Sequence, residues 1–301
     1  MADSKNVQKS AASEGVAIKP ASPFRSIFPL VAIVVLAVIS HLAFYYGFGH
    51  YSNFEEGESK MKAYQAWVAA GSVGEAPECP EDGHPINFFG IVRKGGFVIP
   101  IGITLFLVML TFSVERGITV AKASGKGNID VFVKKVRNML ARGEVDNAAR
   151  ECDKQHGSVG NVIKAGLRKY KEMEADTNLE KEAKKSAIQA EIEEATMLEL
   201  PMLERNLPII ATVASLGTLV GLIGTVIGMI KAFSALGAGG APNAAELSVG
   251  ISEALVNTAL GITTSAFAIL AYNFFTTKID GMTYAMDEAG YSIVQTFDVR
   301  N

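Results

Sequence analysis

Four glycines recur at helical spacing inside one long apolar run, and this pattern restricts the possible fold more than any other feature. The run covers residues 207–233, and Gly217, Gly221, Gly224 and Gly228 lie on one face of the helix that it would form. Each glycine costs a soluble helix roughly 0.8–1 kcal/mol relative to alanine. In lipid, small residues instead allow a second helix backbone to approach closely. The pattern therefore predicts a membrane helix that packs closely against another helix.

Apolar and charged residues are segregated along the 301-residue chain, of which 49% is hydrophobic and 20% is charged. Four charge-poor segments, residues 27–49, 95–114, 207–233 and 247–277, each reach the roughly 20 residues that cross a bilayer. We predict an all-α polytopic membrane protein with four transmembrane helices, the last two long and extending into a cytoplasmic helical domain. The first segment is too long for the apolar region of a cleaved signal peptide and is predicted to be retained.

The distribution of basic residues predicts the topology. Residues 115–206 hold 17 of the 28 lysines and arginines, whereas the link at 234–246 has none, so the former segment is assigned to the cytoplasm. Both termini then lie in the cytoplasm. Because the basic residues follow this topology, they indicate no nucleic-acid partner. The predicted segments are a disordered cytoplasmic tail (1–26), an additional N-terminal span (27–49), an acidic periplasmic segment (50–94), a second span (95–114), a cytoplasmic helical domain (115–206), a third span (207–233), a short periplasmic link (234–246), a fourth span (247–277) and a cytoplasmic C-terminal helix or tail (278–301).

The large polar segment is predicted to be helical throughout. Residues 129–140 and 144–154 form a helix pair, residues 159–173 a third helix, and a long amphipathic helix from residue 180 is interrupted or kinked at Pro201 and Pro208. The apolar contacts predicted for the helix pair are Val131, Val136, Met139, Leu140, Val145 and Ala148.

Polar residues accompany the small residues in the last two spans. Thr218 and Thr225 lie in line beside the glycine stripe of the third span. The fourth span places Glu253, Asn257 and Thr264 beside its own stripe of small residues, which includes Gly250, Thr258 and Gly261. Two interpretations stay open. The hydroxyls bond to the carbonyl one turn back and Glu253 reaches the interface, or these groups face an ion pathway or a partner.

No pattern of an enzyme or a metal site occurs in the sequence. A phosphate loop, a dinucleotide-binding pattern, H-E-x-x-H and G-x-S-x-G are all absent. Cys79 and Cys152 lie in segments predicted on opposite sides of the membrane and lack a nearby Cys/His array. We therefore predict no enzymatic activity, no cofactor, no metal and no internal disulfide.

Two sequence stretches resemble the signature helices of a known family. GLIGTVIGMIKAF (residues 221–233) and GISEALVNTALGI (residues 250–262) are similar to the paired helices of the ExbB/TolQ/MotA proton-channel family, with ExbB as the closest branch. The similarity covers residues 95–284 and includes the large helical insertion between the second and third spans.

The resemblance implies a function and a set of partners. In this family the threonines that match Thr225 and Thr258 line the inner face of a ring of subunits, with the glutamate that matches Glu253 near them. The resemblance further implies a homopentamer around ExbD-like single-span helices, each with an intramembrane aspartate that carries the proton. The proton-motive force would then act through a TonB-like protein on outer-membrane transport, which places the chain in the bacterial inner membrane.

The chain departs from the family pattern at two places. Thr218 occupies the position where the family usually has proline, so the local kink expected there is in question. The additional N-terminal span and the segment at 50–94 are also unusual. A TolQ-like envelope-maintenance motor, a flagellar-type stator subunit and a passive membrane scaffold are the alternative hypotheses.

Overall fold

A computed structural model describes residues 23–72, 74–79, 84–237 and 244–300. The predicted tail at 1–26 lies almost entirely outside the described residues, as does the middle of the link at 234–246. The α-helices are α1 (Pro23–Leu42), α2 (Gly57–Ala69), α3 (Phe88–Arg93), α4 (Ile99–Ala123), α5 (Ile129–Ala141), α6 (Val145–Gln155), α7 (Ser158–Ala175), α8 (Lys181–Glu204), α9 (Leu207–Gly237) and α10 (Ala244–Arg300). A π-helical turn, Ala43–Phe48, extends α1, and a 3-10 turn, Gly96–Val98, precedes α4.

Four stretches of the described chain are long and apolar enough to cross a membrane. They are Ile27–Phe48, Gly96–Ala123, Lys181–Gly237 and Ala244–Arg300. The described residues contain no β-strand, and a single isolated bridge joins Phe54 to Pro85. The chain is therefore a multi-pass, all-α membrane protein.

The α9–α10 hairpin is the centre of the membrane part. α4 packs against both of its helices, and α1 packs on α4. Ser40 of α1 donates a hydrogen bond of 2.6 Å to the carbonyl of Pro100, at the start of α4. The Thr104 hydroxyl, one turn further along α4, donates to the same carbonyl at 2.7 Å. The additional N-terminal helix is thus joined to the remainder of the membrane part.

The segment between α1 and α4 folds over one end of these two helices. The Asn53 amide donates hydrogen bonds to the carbonyls of Gly47 and Phe48 at the end of α1. Asn87, which caps α3, donates a hydrogen bond of 2.8 Å to the Asn53 side chain. The side chains of Asn53 and Asn87 therefore connect the end of α1 to the start of α3.

The helical domain consists of α5 to α8 packed around the second half of α10. Its core contains Leu167, Tyr170, Ile188 and Phe297, and the rings of Tyr170 and Phe297 meet edge to face at 5.0 Å. The predicted helices at 129–140, 144–154 and 159–173 are confirmed within one or two residues at each end.

Two details of the predicted domain are corrected by the structure. Val131 is exposed rather than an apolar contact, and Phe132 and Val133 face the core in its place. The long helix also continues through Pro201 and ends at Glu204. Asn206 adopts a left-handed conformation with φ of 63° and separates α8 from α9, where Pro208 occupies the first turn.

A buried arginine joins α4 to the end of α8. Arg116 forms a bidentate pair with Glu115 at 2.6 and 2.7 Å and donates to the carbonyls of Leu203 and Met202 at 3.3 and 3.4 Å. These carbonyls belong to the last turn of α8, which has no intrahelical donors for them. The positive charge of Arg116 also suits the negative end of the α8 dipole.

We expect Arg116→Met to lower the free energy of unfolding by about 3 kcal/mol, because Glu115 and two helix-end carbonyls lose their partner. Denaturant unfolding of the purified protein in detergent measures this change. Arg137→Met is the matched control, since Arg137 is 54% exposed and pairs with Glu288 at 3.5 Å on the surface. The control should cost less than about 1 kcal/mol. Equal losses in the two variants would contradict the role given to Arg116.

The two cysteines differ sharply in their surroundings. Cys79 is exposed, whereas Cys152 is buried in the helical domain. Burial, with a smaller contribution from the negative charge of Asp153, raises the pKa of the Cys152 thiol to about 12. Because the thiolate is the reactive form, Cys152 should be inert at neutral pH.

We expect a maleimide reagent at pH 7 to modify the folded protein at Cys79 alone. A Cys79→Ser variant should then take up reagent only after unfolding, which mass spectrometry of the labelled peptides detects. Rapid labelling of Cys152 in the folded protein would contradict the burial that its raised pKa reflects.

Candidate functional site

Glycines bring the backbones of α9 and α10 into direct contact. Gly217, Gly221, Gly224 and Gly228 of α9 and Gly250 and Gly261 of α10 are all buried at this interface. A Cβ atom added to Gly228 would lie 2.6 Å from the backbone nitrogen of Ala254, and one added to Gly261 would lie 2.6 Å from the carbonyl oxygen of Gly217. These atoms are backbone, so no side-chain rotation makes room. The antiparallel hairpin therefore requires small residues at these contacts.

Three polar pairs join the two helices across the glycine interface. Each pair joins one residue of α9 to one residue of α10, in an order that follows the antiparallel register. The pairs are Thr218 with Ser265, Thr225 with Thr258, and Lys231 with Glu253.

The hydroxyls of Thr225 and Thr258 are in direct hydrogen-bond contact. Thr225 is also 3.1 Å from the carbonyl oxygen of Gly221, and Thr258 is 3.0 Å from that of Ala254. A hydroxyl has a single hydrogen to donate. One threonine therefore donates to its own helix while the other donates across the interface, and either threonine can take either role.

Thr225 lies at the edge of a shallow groove along α9 and is half-buried. The other groove residues are Val226, Met229, Ile230, Phe233 and Ser234. The surface beside the threonine pair is thus apolar, and the pair supplies the hydroxyls at its margin. This surface can accept an apolar helix that carries an isolated polar group.

Glu253 and Asn257 are buried inside the chain, with relative exposures of 2% and 3%. The Asn257 amide donates to the backbone carbonyl of Gly95 at 2.7 Å and to that of Glu253 at 2.8 Å. Both Glu253 oxygens accept from the Lys231 ammonium, at 2.7 and 2.8 Å. Glu253 and Asn257, both predicted for an ion pathway, therefore face the residues just before α4 within the same chain.

Thr218 is exposed, and its hydroxyl donates a hydrogen bond of 2.8 Å to Ser265. It precedes Thr225 by two helical turns and lies in line with it on the same side of α9. α9 is a continuous helix through this position, from Leu207 to Gly237. The departure from the family's usual proline therefore places a cross-helix hydrogen bond at this point.

Lys231 is not among the residues predicted from the sequence. The information needed to find it is present in the two stripes of small residues. When Gly228 is set against Ala254 and Gly250 against Ala232, as observed, Lys231 falls beside Glu253. The register of the hairpin, rather than either span alone, identifies the pair.

Large apolar side chains cover the free faces of both helices. On α9 they are Leu219, Leu222, Ile223, Val226, Ile230 and Phe233, and on α10 they are Leu255, Ile262, Leu270 and Phe274. Such surfaces suit lipid or further membrane helices. Among the residues that the structure describes, no group of three or more His, Cys, Asp or Glu side chains could hold a metal ion.

Comparison with known proteins agrees with this arrangement of helices. Residues 154–288 match the MotA/TolQ/ExbB proton channel family. This segment begins at the end of α6 and includes both helices of the hairpin.

Individual relatives carry two kinds of name. The Tol-Pal system protein TolQ of Pseudomonas aeruginosa is 28% identical over 184 residues, which cover 58% of this chain and 80% of that protein. The biopolymer transport protein ExbB of Pseudomonas putida is 24% identical over 217 residues, 70% of this chain and 63% of that protein. The ExbB-like protein 3 of a Synechocystis species is 36% identical over 86 residues, 28% of this chain and 41% of that protein. The last two matches span less than two thirds of the relatives' own length.

We expect Gly228→Ala to prevent normal packing of the hairpin, because the added methyl group would overlap the backbone at Ala254. The amount of folded protein in the membrane and its midpoint of thermal unfolding should both fall. Gly281→Ala is the matched control on α10, where an added Cβ has no atom within 4 Å. The control should be stabilised by up to about 1 kcal/mol through helix propensity. A Gly228→Ala variant as stable as the control would refute close packing at this site.

Proposed function

The chain belongs to the MotA/TolQ/ExbB proton channel family, and we propose that it is an ExbB-type proton-channel and motor subunit. In this proposal it uses the proton-motive force to energise TonB-dependent transport across the outer membrane. The observation that carries the proposal is the threonine pair, Thr225 with Thr258, at the edge of a glycine-packed helix hairpin. The hairpin supplies a rigid wall, and the pair supplies hydroxyls beside an apolar groove.

The exposed apolar faces of α9 and α10 support an assembly of several copies. We propose a homopentameric ring in which the groove beside Thr225 faces the interior. The face of each helix that carries the small residues is buried within the hairpin. The opposite faces are therefore available to neighbouring copies or to lipid. Such a ring places the threonine pairs of all subunits around one axis.

A proton relay through this ring needs a carboxylate that the chain does not offer. Glu253 is the single acidic residue of the four predicted spans, and its oxygens are occupied by Lys231. We propose that an ExbD-like single-span partner contributes an intramembrane aspartate to the interior of the ring. An apolar helix with one carboxylate suits an apolar groove bordered by hydroxyls.

The proposed topology follows from the basic residues of the sequence. The chain is a multi-pass protein of the bacterial inner membrane, with both termini and the helical domain in the cytoplasm. The segment between α1 and α4 then lies in the periplasm, where the TonB-like partner acts. No enzymatic activity is part of the proposal.

A Tol-type motor for envelope maintenance is the second candidate, and the TolQ relative of Pseudomonas aeruginosa favours it. Expression of this chain, with its own single-span partner, in a host without ExbB and TolQ proteins separates the two functions. Recovery of TonB-dependent uptake supports the first function. Recovery of detergent resistance alone supports the second.

We expect Thr225→Val and Thr258→Val each to reduce uptake driven by the proton-motive force at least about tenfold, while the ring still assembles. Each change removes one hydroxyl of the pair, and a lost hydrogen bond of about 1.4 kcal/mol corresponds to that factor. Thr212→Val is the matched control, since Thr212 is an exposed threonine of α9 whose hydroxyl bonds to the Pro208 carbonyl of its own helix.

Uptake of a labelled outer-membrane substrate, normalised to the amount of assembled protein, measures the effect. Normal uptake in both pair variants together with normal assembly would refute the proposed role of the threonines. That result would instead favour a passive membrane scaffold.

A further inference from the structure

Lys231 and Glu253 form an ion pair at the end of the hairpin that lies nearest the start of α4. The carboxylate of Glu253 is almost completely buried, with 3% of its side chain exposed, whereas the Lys231 side chain is 50% exposed. A buried carboxylate without a partner is strongly unfavourable. The ammonium of Lys231 extends into the interface and neutralises the buried negative charge of Glu253.

The same carboxylate rests directly on the turn that begins α4. A Cβ atom at Gly96 would lie 2.1 Å from Glu253 Oε1, and Gly96 has a φ of 74°, which favours glycine. Two independent requirements therefore select glycine at this position. The ammonium of Lys231 also lies 5.8 Å from the ring centre of Phe97, the next residue of the turn.

Asn257 forms a hydrogen bond to Gly95, the residue just before that turn. Its amide donates to the carbonyl of Gly95 at 2.7 Å, and its side chain packs into the notch at Gly224, where an added Cβ would lie 2.4 Å from Asn257 Cβ. This side chain of α10 thus contacts both α9 and the residue just before the turn that precedes α4. Glu253 and Asn257 together join three helices at one end of the membrane part.

We propose that Lys231 is a positioning residue, which pairs with Glu253 in the same chain and thereby clamps the Gly96–Val98 turn of α4 to the α9–α10 hairpin. Glu253 in this role holds the wall in place and carries no ion. The clamp lies next to the threonine pair, since Thr258 bonds to the carbonyl of Ala254, the residue after Glu253. This inference rests on the proposed function, because the wall that Lys231 positions is the proposed inner wall of the ring.

The decisive comparison uses Lys231→Met, Glu253→Gln and the double variant Lys231→Met/Glu253→Gln in the full-length chain with its single-span partner. Lys231→Met leaves a buried carboxylate unpaired, so uptake and the thermal midpoint of the purified complex should fall, uptake by about tenfold or more. The double variant removes the charge that needs a partner. It should recover uptake to within about threefold of the wild type and regain most of the midpoint.

Two further variants separate positioning from a general loss of a lysine. Lys231→Arg keeps the positive charge and should retain uptake, because a guanidinium also pairs with a carboxylate. Lys278→Met removes an exposed lysine of α10 and should leave uptake and the midpoint unchanged. Loss of function in Lys231→Arg equal to that in Lys231→Met would contradict a role through the charge pair.

The double variant also decides the role of Glu253 itself. If it is as inactive as Lys231→Met although it assembles normally, the carboxylate is required for ion transfer and the proposal is overturned. If the Lys231→Met variant does not accumulate in the membrane, the amount of protein in the membrane is measured in place of uptake. A double variant that also fails to accumulate then overturns the proposal.

The thermal midpoints keep this test distinct from that of the proposed function. If the wild-type chain supports no uptake driven by the proton-motive force, the proposed function fails. The recovery of the midpoint in the double variant still decides whether Lys231 and Glu253 are coupled.

Discussion

Direct backbone contact between α9 and α10 is the constraint on which the rest of the membrane part depends. Lipid tails provide no hydrophobic force that drives two helices together, so association relies on close packing and on polar bonds between helices. Glycine at Gly221, Gly228 and Gly261 permits the required approach. Once the two helices are this close, short side chains such as those of Thr225 and Thr258 can bond across the interface.

The polar groups that lie between the two helices of the hairpin bond to one another or to backbone carbonyls. Hydroxyls pair with hydroxyls, the Asn257 amide meets two carbonyls, and Glu253 meets Lys231. An unsatisfied group in the bilayer costs several kcal/mol, which explains why these groups occur in pairs rather than as single residues. The same principle operates at the other end of α4, where Arg116 satisfies the last carbonyls of α8.

The sequence predicted the four membrane helices, the helices of the polar domain and the family, because long apolar runs and periodic stripes are local signals. The position of each polar group was harder to predict. A single span shows only that a carboxylate within the membrane is energetically unfavourable. The sequence alone therefore predicts a pathway or an interface for Glu253. Its partner, Lys231, lies 22 positions earlier in the chain and on the other helix, so the pair depends on the register of α9 against α10. The conformation of Asn206 and the burial of Phe132 instead of Val131 likewise depend on tertiary contacts. The roles of the threonines, the ring and the partners remain proposals that the mutants decide.

The uninterrupted α10 gives the chain a mechanical property. This single helix of 57 residues passes from Thr258 in the hairpin to Phe297 in the core of the helical domain. At 1.5 Å per residue these two positions are about 58 Å apart along the axis. A rod of that length acts as a lever, because a tilt of about 5° at one end moves the other by about 5 Å when the helix stays straight. A tilt of α10 beside the threonine pair would therefore be carried into the core of the helical domain, because the helix is continuous between the two.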